Sequence, residues 1–293
     1  MNIQTISIVV PTKGCVNKCK FCVSRMRECP NHATNTNVEQ IKKRIKYAVM
    51  NNVNTCILTG TGEALQNTKF LYTLVDIFRE MNDPFPNVEL QTTGVLLNDE
   101  NINLLKRLGV NTISLSVSNI FDDGKNMDII DVPEKLRFKL NELITMLKKE
   151  GFNIRLSLNM TKDYDESIPK TLILRCKELG AEQITFRQLY HNDDKSFDQT
   201  KWVMDNACSP VLIKSIKNYI AGNGFWSFIV GKGLGTYLYP LPFGAKVYSI
   251  KGMSTVIDDD CMSKNTKDVL KYIILREDGR LYVRWDDDGS LIF

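Results

Sequence analysis

Three thiols stand close together near the start of the chain, in Gly14-Cys15-Val16-Asn17-Lys18-Cys19-Lys20-Phe21-Cys22. Their spacing is C-x3-C-x2-C, directly after an apolar run, Ile6–Val10, that reads as a buried strand. A loop this short cannot send its side chains to different places, so the thiolates can close around one soft metal centre. Structural zinc takes four ligands, whereas iron–sulfur clusters are held by cysteine thiolates. Three cysteines on a four-iron–four-sulfur cluster would leave one iron without a protein ligand. On spacing alone zinc remains open, with Cys29 or His32 as its fourth ligand. A second stretch, Thr59-Gly60-Thr61-Gly62-Glu63, is rich in glycine and ends in a carboxylate. Glycines let backbone approach a ligand, and Glu63 is suited to hold an amine. An amino acid chelating the open iron would present such an amine.

The elements that must position these residues alternate. Strands are expected at Ile6–Val10, Thr55–Leu58, Val88–Thr93, Thr112–Ser118, Asn153–Asn159 and Gln183–Tyr190. Between them lie helical patterns: from Asn37, with Gln40 completing a capping box, then Phe70–Met81, Asp99–Leu108, Glu134–Glu150 and Ser167–Leu179. A polar loop, residues 119–133, is placed to cover a site. Such βαβ alternation calls for a parallel sheet with right-handed crossovers, curled into a partial barrel. Loops after the strands then share one face, so the cysteine loop and the Glu63 loop are neighbours there. After His191 the texture changes to a helix at Pro210–Ala221, glycine-rich aromatic sequence, and a hairpin turning at Asp278-Gly279. The expected fold is α/β: a partial (β/α)6 TIM-like barrel over residues 1–195 with a C-terminal α+β cap over 196–293 packed on it.

Composition sets outer limits. The chain has 293 residues, a net charge of +4 and eight cysteines, clustered only at the start. That is no disulfide framework, and it points to reduced thiols in a cytoplasmic protein. The start has no signal-peptide pattern, and no apolar run reaches the ~18 residues of a membrane span. So small a net charge supplies no strongly basic face for nucleic acid.

With an aromatic before the third cysteine and a Gly-Glu loop after the second strand, the chain resembles the radical S-adenosylmethionine superfamily over residues 5 to about 191. The resemblance implies that Cys15, Cys19 and Cys22 hold a 4Fe-4S cluster and that S-adenosylmethionine chelates the fourth iron. Reductive cleavage would give a 5′-deoxyadenosyl radical that takes hydrogen from a substrate, with flavodoxin or ferredoxin as electron donor. Phe21 would meet the adenine, and Thr61, Gly62 and Glu63 the methionine amine. Two departures stand in that loop, Thr61 for a glycine and Ala64 for a proline. Ser116, with Ser114 beside it, would reach the ribose or methionine carboxylate, Asn159 the ribose and Leu189 the adenine. A looser similarity, in Gln91–Leu97 and Leu275–Leu281, is to the molybdopterin-biosynthesis cyclase group. Its second cluster is not expected, because Cys208 and Cys261 stand alone in the last third.

Blander roles stand beside these. Ser114, Ser116 and Ser118 can be barrel-lining hydroxyls. Arg155 and Arg187 can bind an anionic group or form an interior ion pair with Glu89. Cys56 and Cys176 read as core, and His191 as surface. Gly231–Gly235 lacks the Lys-Ser/Thr of a phosphate loop, and the Asp258–Asp260 and Asp286–Asp288 runs read as solvated turns. The expected substrate is a small molecule such as a nucleotide. A peptide- or protein-modifying enzyme, or a glycyl-radical activase, is the alternative, and a zinc-stabilised, non-catalytic binding protein the rival of another class.

Overall fold

Alternation along each strand decides the architecture. On Asn153–Met160, Ile154, Leu156, Leu158 and Met160 are fully buried in the main apolar core, while Arg155, Ser157 and Asn159 face the other way. One sheet face therefore needs helices over it, and the other forms a polar interior. The structure, a computed structural model, describes residues 2–26, 37–222, 234–241, 245–258, 269–285 and 287–293.

The described elements begin with β1 (Asn2–Val10), α1 (Val38–Met50), β2 (Thr55–Gly60), α2 (Thr68–Glu80), β3 (Asn87–Thr92) and α3 (Asp99–Arg107). They continue with β4 (Thr112–Val117), α4 (Asp123–Ile130), α5 (Leu140–Lys149), β5 (Asn153–Met160), α6 (Pro169–Glu178) and β6 (Gln183–Gln188). The last third supplies α7 (Asp198–Asn206), α8 (Pro210–Ala221), β7 (Thr236–Pro240), β8 (Lys246–Ile250), β9 (Met253–Asp258), β10 (Val269–Leu275) and β11 (Leu281–Tyr282).

Among the described residues these strands form one sheet in the order β11-β10-β1-β2-β3-β4-β5-β6-β9-β8-β7. From β10 to β9 every pairing is parallel; β11 and the β7–β8 pair are antiparallel additions at the edges. This is the α/β, partly closed barrel expected from the alternation. The C-terminal α+β segment packs on it by lengthening the sheet at both ends, through β9 on β6 and β10 on β1. The Asp278-Gly279 turn is present, with Gly279 at φ +76°, but the returning strand β11 is only two residues long.

Helix starts are set by side chains. Asn37, Asn67, Asn98, Asp122 and Ser209 each accept a backbone N–H from the first turn. The Asp122 cap is what the sequence reading overlooked. It starts α4 inside the stretch expected to be a loop, and Asp131, left-handed at φ 54°, ends it. The single helix expected over Glu134–Glu150 is instead a 3-10 turn at Glu134–Leu136 followed by α5, because Arg137 adopts an extended backbone. Helix α7 was also not foreseen, and α6 begins at Pro169, where a missing N–H costs nothing. No described helix is long and apolar enough to cross a membrane.

Candidate functional site

The cysteine loop leaves the C-terminal end of β1 and is tied down on two sides. Towards β2, the Gln66 side chain accepts the Val16 N–H at 2.7 Å, and Asn67 donates to the Pro11 carbonyl at 2.7 Å. Towards β4, Lys20 N–H donates to the Ile129 carbonyl at 3.1 Å, at the end of α4. The same helix packs Met127 and Ile130 against Val16 and Cys19. The loop's path is therefore set by neighbouring elements and not by its own short length.

Gly62 brings the second loop against the first. A β-carbon there would lie 2.4 Å from the Gly14 carbonyl oxygen and 2.5 Å from the Thr12 hydroxyl. Only a glycine permits this approach, so its hydrogen side chain serves loop-to-loop packing. Burial raises the Cys15 thiol above its ordinary value, and the backbone of Asn17 and of Glu63 pulls it back. Thr61 turns the other way: its hydroxyl donates to Glu277 in the β10–β11 turn.

Glu63 is 4 % exposed and held by three donors. Thr92 Oγ1 donates to Oε1 at 2.7 Å, while Thr93 gives its backbone N–H at 3.1 Å and its hydroxyl at 3.0 Å to Oε2. Asn17 of the cysteine loop in turn donates to Thr93 Oγ1 at 2.8 Å. Burial pushes the Glu63 carboxyl above its ordinary value, and the Thr92 and Thr93 hydrogen bonds pull it back. These threonines were not assigned a role from the sequence; their place at the end of β3, beside the Glu63 loop, was the signal that could have found them.

Cys15, Cys19 and Cys22 feel one another electrostatically. Burial drives the Cys19 thiol far up, and the charges at Cys22 and Cys15 act in the same sense. A cation placed among thiolates reverses that penalty, which is the chemistry a metal at these cysteines would supply. The other described cysteines, Cys56, Cys176 and Cys208, are buried in the apolar core and offer no fourth thiolate. Cys29, His32 and Cys261 lie outside the described residues, as do Gly231–Gly233, Asp259, Asp260 and Asp286. Among the described residues, no three His, Cys, Asp or Glu side chains close on a single-ion site.

Phe21 and Leu189, assigned to one adenine from distant parts of the sequence, share a small apolar cluster with Met26, Trp202 and Val203. The Phe21 and Trp202 rings are 6.2 Å apart. Asn192 clasps this corner, donating to the Met26 carbonyl at 2.7 Å while accepting from buried Thr200. On the interior face, the Asn159 amide donates to Ser116 Oγ at 3.0 Å and Ser118 Oγ at 3.2 Å. Ser114 is buried lower down, in register with Gln91 and Arg155. Arg155 pairs with Glu89, realising the interior ion pair, whereas Arg187 does not join it. His191 is exposed, with Nδ1 3.0 Å from the Asn192 carbonyl oxygen.

Comparison with known proteins agrees with this geometry. A family model described as "Radical SAM superfamily" matches residues 9–174. Curated protein sequences give no match. Among solved structures, native anSMEcpe with bound AdoMet aligns at TM-score 0.63 and 13 % identity, over 99 % of this chain and 77 % of that one. SuiB of Streptococcus suis bound to S-adenosylmethionine aligns at 0.52 and 17 %, over 75 % of this chain and 48 % of its own. Coproporphyrinogen III oxidase (HemN) of Escherichia coli aligns at 0.51 and 14 %, over 80 % and 53 %. The chain thus spans about half of SuiB and HemN, and the likeness is one of fold.

Proposed function

Because the chain belongs to the radical SAM superfamily, and is by that membership an enzyme, we propose that Cys15, Cys19 and Cys22 hold one 4Fe-4S cluster and that S-adenosylmethionine binds at its open iron. The observation that carries the reading is the docking of the cysteine loop on the Glu63 loop, with no fourth described thiol at hand. When bound, the pair supplies reductive cleavage of S-adenosylmethionine and a carbon radical able to take a hydrogen atom from a substrate.

The chain's own residues position and shield. Glu63 holds the methionine amine, its carboxylate oriented beforehand by Thr92 and Thr93. The Thr61 hydroxyl is occupied by Glu277, so its contribution falls to the backbone beside Gly62. Phe21 and Leu189 form an apolar shelf for the adenine. Ser116 and Asn159, already joined, offer a hydroxyl and an amide to the ribose, with Ser114 beneath them. We assign the electron supply to a flavodoxin or ferredoxin, and the location to the cytoplasm, where the free thiols stay reduced.

For the substrate, the reading is a small molecule such as a nucleotide, supported by the cavity described below. A peptide is the second reading, since anSMEcpe has been seen with AdoMet and a Kp18Cys peptide, at TM-score 0.60 to this chain. Product analysis of anaerobically reconstituted, dithionite-reduced protein tests the core of the proposal: 5′-deoxyadenosine should form from S-adenosylmethionine, and Cys19→Ala should abolish it.

A further inference from the structure

Away from the loops, the interior of the sheet borders an open-mouthed cavity of about 460 Å³. Strands β1, β2, β3, β5, β6 and β9 form one wall. Tyr239 of β7, Val247 of β8 and Lys271 and Tyr272 of β10 also line it, so the cavity lies where the sheet's two edges approach. Its described lining carries the carboxylate Glu89 and the cations Arg155, Arg187 and Lys271, the last seated over the Tyr272 ring.

These charges differ in how they are answered. Arg155 meets Glu89 through one guanidinium nitrogen and Gln183 Oε1 through Nε at 2.7 Å. Arg187 stands on β6 with Asn159 and Asp258 as its register neighbours. Its Nε is buried with no hydrogen-bond partner, and the Asn159 amide is already engaged by the two serines. A guanidinium nitrogen buried without a partner is stabilised when a ligand completes it.

We infer that this cavity binds a small polar anion, whose phosphate or carboxylate seats on Arg187 while Gln91, Gln183 and Thr185 hydrogen-bond the rest of the molecule. Arg187 lies in the same cross-strand row as Asn159, which borders the proposed ribose contacts. A ligand anchored there reaches from the strands' N-terminal ends, where most of the lining lies, towards the proposed ribose contacts. That the anion is the substrate rests on the radical SAM reading; that it binds does not.

The test is calorimetry on the full chain, without cluster or S-adenosylmethionine, using uridine monophosphate, citrate and uncharged uridine as probes. At least one anion should bind, and uridine at least tenfold more weakly. Arg187→Gln should lose tenfold or more of the anion affinity, and Arg187→Lys should keep most of it, with thermal melting confirming that each variant folds. Binding of neither anion, or equal binding by Arg187→Gln, would overturn the inference. So would matched destabilisation by Arg187→Gln and Asp258→Asn with anion binding unchanged, which would make Arg187 half of an internal ion pair. A loss of S-adenosylmethionine affinity in Arg187→Gln, in place of the anion's, would also overturn it by assigning the arginine to the cofactor. If the reconstituted wild type formed no 5′-deoxyadenosine while the anion still bound, the radical SAM proposal would fail and the cavity assignment would stand.

Discussion

Glu63 is fixed before any ligand arrives, because two threonines and the Thr93 backbone already point its oxygens. A hydrogen bond to a charged group contributes about 1.5–3 kcal/mol, or roughly ten- to a hundredfold in affinity. Glu63→Gln should therefore weaken S-adenosylmethionine binding by that factor while leaving iron content near wild type; equilibrium dialysis with labelled cofactor measures it. The thiols divide in the same residue-level way. Burial holds the Cys56 thiol far up and the Cys176 thiol up to about 12, so both stay neutral and inert at pH 8. Iodoacetamide followed by peptide mass spectrometry should mark the exposed Cys15 and the half-buried Cys22 in metal-free protein, spare Cys56 and Cys176, and lose the first two labels once a cluster is loaded. The cysteines and the Gly-Glu pair were legible in the sequence because their chemistry needs those residue types at a local spacing. The Thr92–Thr93–Asn17 support was not, because it joins loops that only the fold brings together.

At the scale of elements, two glycines of similar appearance in the sequence do different things. A β-carbon at Gly62 collides with the backbone of the cysteine loop, whereas one at Gly14 meets nothing within 4 Å. Gly62→Ala should lower iron retention after reconstitution and shift the cluster's visible spectrum; Gly14→Ala should match wild type in both. Strand and helix alternation through β6 was readable, since period-two and helical patterns are local. The stretch from 119 to 150 differs from expectation for a physical reason: Asp122 and Asp131 cap a helix inside the expected loop, and the extended Arg137 splits the expected Glu134–Glu150 helix. The helix in the loop matters, because α4 and its cap carry the Ile129 and Asp131 carbonyls that fasten the cysteine loop.

At the scale of the molecule, the last third is woven into the sheet. Strand β10 covers the open side of β1 over Asn2–Ile8, and it buries Leu270, Ile273, Ile274 and Leu275. Truncation after Asp258 should leave that edge and its apolar neighbours bare, giving aggregated protein without a cooperative melt; a soluble, cooperatively melting fragment would show two independent domains instead. Parallel pairing between strands more than two hundred residues apart leaves no local trace, so the sequence showed β10 only as half of a hairpin. The polar cavity was hidden for the same reason: its lining is assembled one or two residues at a time from strands across the chain. The measurement that bears most directly on the whole account is anaerobic reconstitution with iron and sulfide, dithionite reduction, and parallel assays of metal and 5′-deoxyadenosine. The account predicts brown protein with about four irons per chain and 5′-deoxyadenosine that depends on all three loop cysteines. Colourless protein retaining zinc, with no 5′-deoxyadenosine formed, would contradict it.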